Sequence, residues 1–139
     1  MNKKEYSTVD LRGTPAFERM KKFLGSYASC RNVCDTYEEE KRLGLVKAGE
    51  EVIRDVFYDE CRTRCAMIEL FIKGLECTGD EKHLLWLHYV QGLSLEAVSE
   101  RLYVSRSTAF RISKRAEEAA LIAFMRIECD QKPPQRSVS

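Results

Sequence analysis

The sequence predicts an all-α protein, an N-terminal long helical hairpin followed by a C-terminal three-helix helix-turn-helix domain. Three observations carry this. Apolar residues recur at spacings of three and four along most of the chain, the period of a one-sided helical stripe. Only three of 139 residues are proline, and two of these are the adjacent Pro133-Pro134 near the C-terminus, so little interrupts a helix. Gly44, Gly49, Gly79 and Gly92 fall between the striped runs, where helices end.

Residues 1–13 are polar, end in Arg12-Gly13 and read as a flexible arm. Thr14-Pro15 has the form of an N-cap followed by proline at the first helical position. The run to Leu43 carries a stripe of Phe17, Met20, Phe23, Leu24, Tyr27, Cys30, Cys34 and Tyr37. The two glycines of Gly44–Gly49 bracket a helix-helix connection. A second long helix is expected from about Glu50 to Cys77, facing inward through Ile53, Phe57, Cys61, Cys65, Ile68, Ile72 and Leu75, with Val56 and Phe71 flanking. Residues 14–78 thus read as an antiparallel hairpin, each helix about 40 Å long at 1.5 Å per residue.

Thr78-Gly79-Asp80 punctuates before the domain at 79–129. Its first helix offers Leu84, Trp86, Leu87 and Val90 as core, with Tyr89 at the edge, and stops at Gly92. Ser94 is a good N-cap, Glu96 suits the positive end of the dipole, and Leu95, Val98 and Leu102 form the next stripe. After a break at Tyr103-Val104-Ser105, Ser105 can cap a last helix that turns Ala109, Ile112 and Ala116 inward and runs to about Glu128. Arg106, Ser107, Thr108, Arg111, Lys114 and Arg115 are left outward. Two short helices, a tight turn and a basic, polar start to the second are what a helix-turn-helix needs to enter a major groove. Residues 130–139 read as a disordered tail.

The run Gly-Leu-Ser-Leu-Glu-Ala-Val-Ser-Glu-Arg-Leu-Tyr-Val-Ser-Arg-Ser-Thr, residues 92–108, resembles region four of bacterial sigma factors. It resembles more closely the small sigma-like regulators of phages and prophages, such as the ArpU-type late-gene regulators. The resemblance covers roughly residues 80–125 and implies a DNA-binding transcriptional role, with Arg106, Ser107, Thr108 and Arg111 at the base-facing end of the recognition helix. The chain departs from that pattern at Tyr103, where the turn often has Gly or Asn, and at Phe110, where a polar residue is commoner.

Net charge is +1, which argues against a protein that coats DNA indiscriminately, yet Arg101 to Arg115 holds five basic residues and no acidic one. Local charge can bind phosphate when the global balance is neutral. Arg can make a bidentate contact to guanine, so Arg106 and Arg111 with Ser107 and Thr108 are the candidate base readers. Arg101, Lys114 and Arg115 are the candidate phosphate contacts. No apolar run follows the N-terminal lysines and none approaches bilayer length, so the expectation is a cytoplasmic protein with no membrane partner.

Cys30 and Cys34 lie four apart on the first helix, Cys61 and Cys65 four apart on the second. A turn near Lys47 brings Cys30 opposite Cys65 and Cys34 opposite Cys61. Four thiolates there could bind zinc, or two disulfides could cross the hairpin. A reducing cytosol disfavours the disulfides, and CxxxC on helices is a weak zinc signal, so the expected role is that of small buried hydrophobes, without cofactor. His83 and His88 diverge on their helix. There is no glycine-rich phosphate loop, GxSxG or HExxH, and an enzyme is not expected. The expectation is a transcriptional regulator whose partner is double-stranded DNA, with the hairpin mediating homodimerisation or contact with RNA polymerase. Small terminase subunits, which also join a helix-turn-helix to helical oligomerisation segments, and a pure protein-interaction module are the alternatives.

Overall fold

The computed structural model describes residues 11–131; the expected tail from 132 and the first ten residues of the expected arm lie outside that range. Among the described residues five α-helices follow one another: α1 Pro15–Arg42, α2 Ala48–Lys73, α3 Gly79–Leu85, α4 Leu95–Arg101 and α5 Arg106–Gln131. A π-helical turn, Trp86–Val90, prolongs α3. The first two helices form the expected hairpin, and the shorter ones pack against α5.

Local chemistry sets most boundaries. The Thr14 hydroxyl accepts the Phe17 N–H at 3.2 Å, with Pro15 next in line. α1 ends in a pair of bonds, Leu45 N–H to Glu40 carbonyl at 2.8 Å and Gly44 N–H to Lys41 carbonyl at 3.1 Å. That arrangement needs a left-handed residue, and Gly44 supplies it at φ 72°. α2 ends at Lys73, capped by Gly74 and four residues short of the expected Cys77; the Lys82 ammonium donates to the Lys73 carbonyl there at 2.9 Å. Thr78 and Glu81 exchange bonds in a capping box that starts α3.

The expected inward stripe of α2 holds only in its C-terminal half. Cys61, Cys65, Ile68, Ile72 and the following Leu75 are buried, but Ile53 is 73% and Phe57 54% exposed. At the tip of the hairpin α1 offers Tyr37, Glu38 and Lys41 rather than aliphatic side chains. The polar residues of α2 turn to meet them instead. Tyr37 donates to Asp55 at 2.6 Å, Tyr58 donates to Glu38 at 2.5 Å, and the Arg54 guanidinium lies 4.8 Å from the Tyr37 ring. Arg54, Asp55 and Tyr58 therefore face α1, which rotates Ile53, Val56 and Phe57 toward solvent.

Six thiols are free. Cys34 donates to the Tyr58 carbonyl at 3.8 Å and Cys65 to the Tyr27 carbonyl at 3.9 Å. Cys30 and Cys34 both lie near Cys61 and near Cys65, so the four thiols gather at one level of the hairpin. Burial pushes the Cys34 and Cys61 thiols up, and the Cys65 thiol up to about 11. Among the described residues no group of three or more His, Cys, Asp or Glu is arranged to hold a metal ion.

The buried cluster is continuous from the hairpin (Met20, Leu24, Ile68, Ile72) through α3 (Leu84, Leu85) and α4 (Val98) to α5 (Ala116, Ala120, Leu121). The small α3–α5 unit therefore does not rely on its own thin core. α1 also grips the C-terminal half of α5. Phe23 stacks at 5.7 Å on Phe124, Arg19 pairs with Glu128 at 2.7 Å, and Lys21 pairs with Glu117 at 3.4 Å. Among the described residues no helix is long and apolar enough to cross a membrane.

Candidate nucleic-acid interface

Residues 102–105 join α4 to α5. α4 begins at Ser94, whose hydroxyl accepts the Ala97 N–H at 3.1 Å, and buries Val98 and the small Ser99. Its end repeats the geometry that closes α1: Val104 N–H bonds the Ser99 carbonyl at 3.0 Å and Tyr103 N–H bonds that of Glu100 at 3.2 Å. The left-handed position is here filled by Tyr103, at φ 59° and 94% exposed. The departure from Gly or Asn thus leaves the turn's shape intact and places the strain on a tyrosine.

Ser105 caps α5, accepting the Thr108 N–H at 3.1 Å and donating to the Thr108 hydroxyl at 3.0 Å. Ala109, Ile112 and Ala116 are buried. With those positions inward, the 100° step per residue sends Ser107, Phe110, Arg111, Lys114 and Arg115 to the opposite side, and all five are exposed. Thr108 is half-buried at the edge, where its hydroxyl accepts from Arg111 at 3.3 Å. Arg106 is exposed and ion-paired with Glu96 of α4 at 3.2 Å. Arg101, at the C-terminal end of α4, is exposed as well. Among the described residues, neither Arg101 nor Arg115 makes an ion pair.

Two features of this face are tertiary and escape a reading of the sequence. Arg106 does not stand alone, because Glu96 ten residues earlier reaches it across the turn. Two cations approach the Phe110 ring: Lys114 at 6.0 Å and Arg12, from the segment preceding α1, at 5.7 Å. No local signal in the sequence connects Arg12 with α5.

The molecule is thus a small all-α protein that presents the basic, hydroxyl-rich start of a long helix just after a tight interhelical turn. Over 63 residues it is 32% identical to the HTH-type transcriptional regulator Hpr of Exiguobacterium sibiricum, a match covering 45% of this chain. It covers 33% of that relative, so the chain spans about a third of the length of the curated protein it matches. No protein-family model and no solved structure matches the chain.

Proposed function

We propose that this protein is a sequence-specific DNA-binding transcriptional regulator of phage or mobile-element type, with a sigma region-four-like unit at residues 79–129. The observation that carries the reading is the start of α5, whose cationic and hydroxyl side chains face solvent over apolar neighbours that hold the helix in place. The partial similarity to an HTH-type regulator supports the same class. In this reading Arg106, Ser107, Thr108 and Arg111 meet base edges in the major groove. Arg101, Lys114 and Arg115 hold phosphates, and so fix the register without reading sequence. Glu96 tethers Arg106 until DNA displaces it. The hairpin at 14–78 makes the protein contacts, with a second copy or with RNA polymerase.

The test is selection of bound sequences from a random duplex library, followed by Arg106→Ala with Arg111→Ala. Each lost bidentate contact should cost about 1–3 kcal/mol of discrimination against wrong bases. Circular dichroism should not change, because both side chains are exposed. If the double variant selects the same sequences with the same preference, this face does not read DNA.

A further inference from the structure

The outward side of α2 carries a heptad stripe. Ile53, Val56, Glu60, Thr63, Met67 and Leu70 alternate at spacings of three and four, and every one is exposed. The apolar members are far from marginal, at 73% for Ile53, 57% for Val56, 51% for Met67 and 68% for Leu70. α2 already meets α1 through Cys61, Cys65, Ile68 and Ile72. At 100° per residue the stripe is centred roughly 140° away from that line. It is a second face, and among the described residues nothing covers it. The alternating spacing of three and four is that of a coiled-coil seam, apolar here at its two ends.

The stripe is apolar at both ends and polar in the middle, which makes it complementary to itself when reversed. In an antiparallel pairing Ile53 meets Leu70 of the partner subunit, Val56 meets Met67 of the partner subunit, and Glu60 meets Thr63 of the partner subunit. Apolar layers match apolar layers, and the carboxylate meets a hydroxyl donor. A parallel pairing would instead stack Glu60 on Glu60 of the partner subunit, two like charges in one layer. The flank agrees with the antiparallel choice. Phe57, itself 54% exposed, comes beside Arg64 of the partner subunit, a cation over an aromatic ring.

We propose that α2 is a homodimer interface, pairing antiparallel across a two-fold axis near Cys61-Arg62. This rests on the reading that the hairpin makes protein contacts, and narrows it to one face and one occupant. The seam is about 26 Å long at 1.5 Å per residue. It would cover on the order of 500–600 Å² per protomer, less than the about 800 Å² of a standard specific interface. The dimer should therefore have a Kd in the micromolar range.

Sedimentation velocity of the whole chain without DNA, from about 1 to 200 μM, brackets that range. The expected result is a concentration-dependent passage from monomer to dimer. Val56→Glu with Met67→Glu should weaken association by tenfold or more, leaving circular dichroism and binding to a random duplex in place. Glu60→Leu with Thr63→Leu should tighten it by tenfold or more, and this second variant decides the matter if the first fails to fold. A wild-type chain that stays monomeric throughout overturns the proposal. A dimer indifferent to both double variants also overturns it, while leaving association through another part of the hairpin standing. Because DNA binding is scored separately, loss of dimerisation and failure of the DNA reading are distinguishable.

Discussion

Tyr103 is the residue on which the turn between α4 and α5 places its backbone strain. At φ 59° it occupies the left-handed region, which costs an L-residue about 1–2 kcal/mol relative to a right-handed one. The residue is 94% exposed, so packing returns almost nothing. Tyr103→Gly removes that cost and sacrifices negligible burial, but adds about 0.5–1 kcal/mol of chain entropy in the unfolded state. The difference is a net stabilisation of roughly 0.5–1 kcal/mol, or about 2–4 °C in Tm for a chain of this size. Tyr103→Val should go the other way, because a β-branched side chain tolerates positive φ worst of all. Thermal and urea denaturation followed by circular dichroism measure both. A glycine variant no more stable than the parent would refute the reasoning. It would mean either that the turn is not left-handed at this position or that the ring makes a stabilising contact.

Glu96→Gln removes the partner of Arg106. Both side chains are largely exposed, 62% and 75%, so stability should move by less than about 0.5 kcal/mol. Affinity for duplex should rise severalfold at low salt, since a carboxylate leaves the phosphate-facing side and a guanidinium is released; competition binding at fixed ionic strength checks this, and unchanged or weaker binding counts against Arg106 as a DNA contact. At alkaline pH the hairpin should loosen. Tyr27 is pushed up to about 12 by burial and its 2.6 Å bond to Glu69, and Tyr37 up to about 12 mainly by its bond to Asp55. Both folded values lie above the ordinary tyrosine value near 10. The native state therefore binds more protons between the two. This contribution is complete below about pH 10 and is lost as pH climbs through 12. The urea midpoint should fall over that window, and fall less steeply in Tyr27→Phe; a flat midpoint contradicts the assignment.

What the sequence discloses is what local chemistry decides. Thr14, Ser94 and Ser105 cap helices because a hydroxyl just before an apolar stripe has few other uses, and Gly44 and Gly92 end helices because their neighbours cannot turn left-handed cheaply. The inward line of α5 follows from period alone. What stays hidden depends on the opposing surface. Ile53 and Phe57 continue the spacing of Cys61 and Cys65, and only the polar tip of α1, through Tyr37 and Glu38, rotates them out. Glu81 reads as a surface charge, yet its capping role buries it to 7% exposure. The π-helical turn at Trp86–Val90 has no signature that distinguishes it from a plain helix end. At the candidate interface, the outward basic side chains are legible one by one. The pairing of Arg106 with Glu96 and the approach of Arg12 to Phe110 are contacts between elements, and no spacing rule reaches them.

The length of α5 connects the two halves mechanically. It is a single helix of 26 residues, about 39 Å long. Its first turns carry the basic face and lie against α4, while Glu117, Phe124 and Glu128 are held by Lys21, Phe23 and Arg19 of α1. No proline or glycine interrupts it, so it has none of the usual causes of a kink. The basic end cannot turn relative to the hairpin without either breaking that helix or stripping α1 from it. Two chains paired through their hairpins would therefore hold two basic helix ends at one fixed separation and orientation. Dimeric helix-turn-helix proteins need such a constraint, because their half-sites must fall on one face of the duplex, a helical turn or a multiple of it apart. The hairpin would then contribute to sequence recognition through geometry, by setting which spacings can be read, without touching a base.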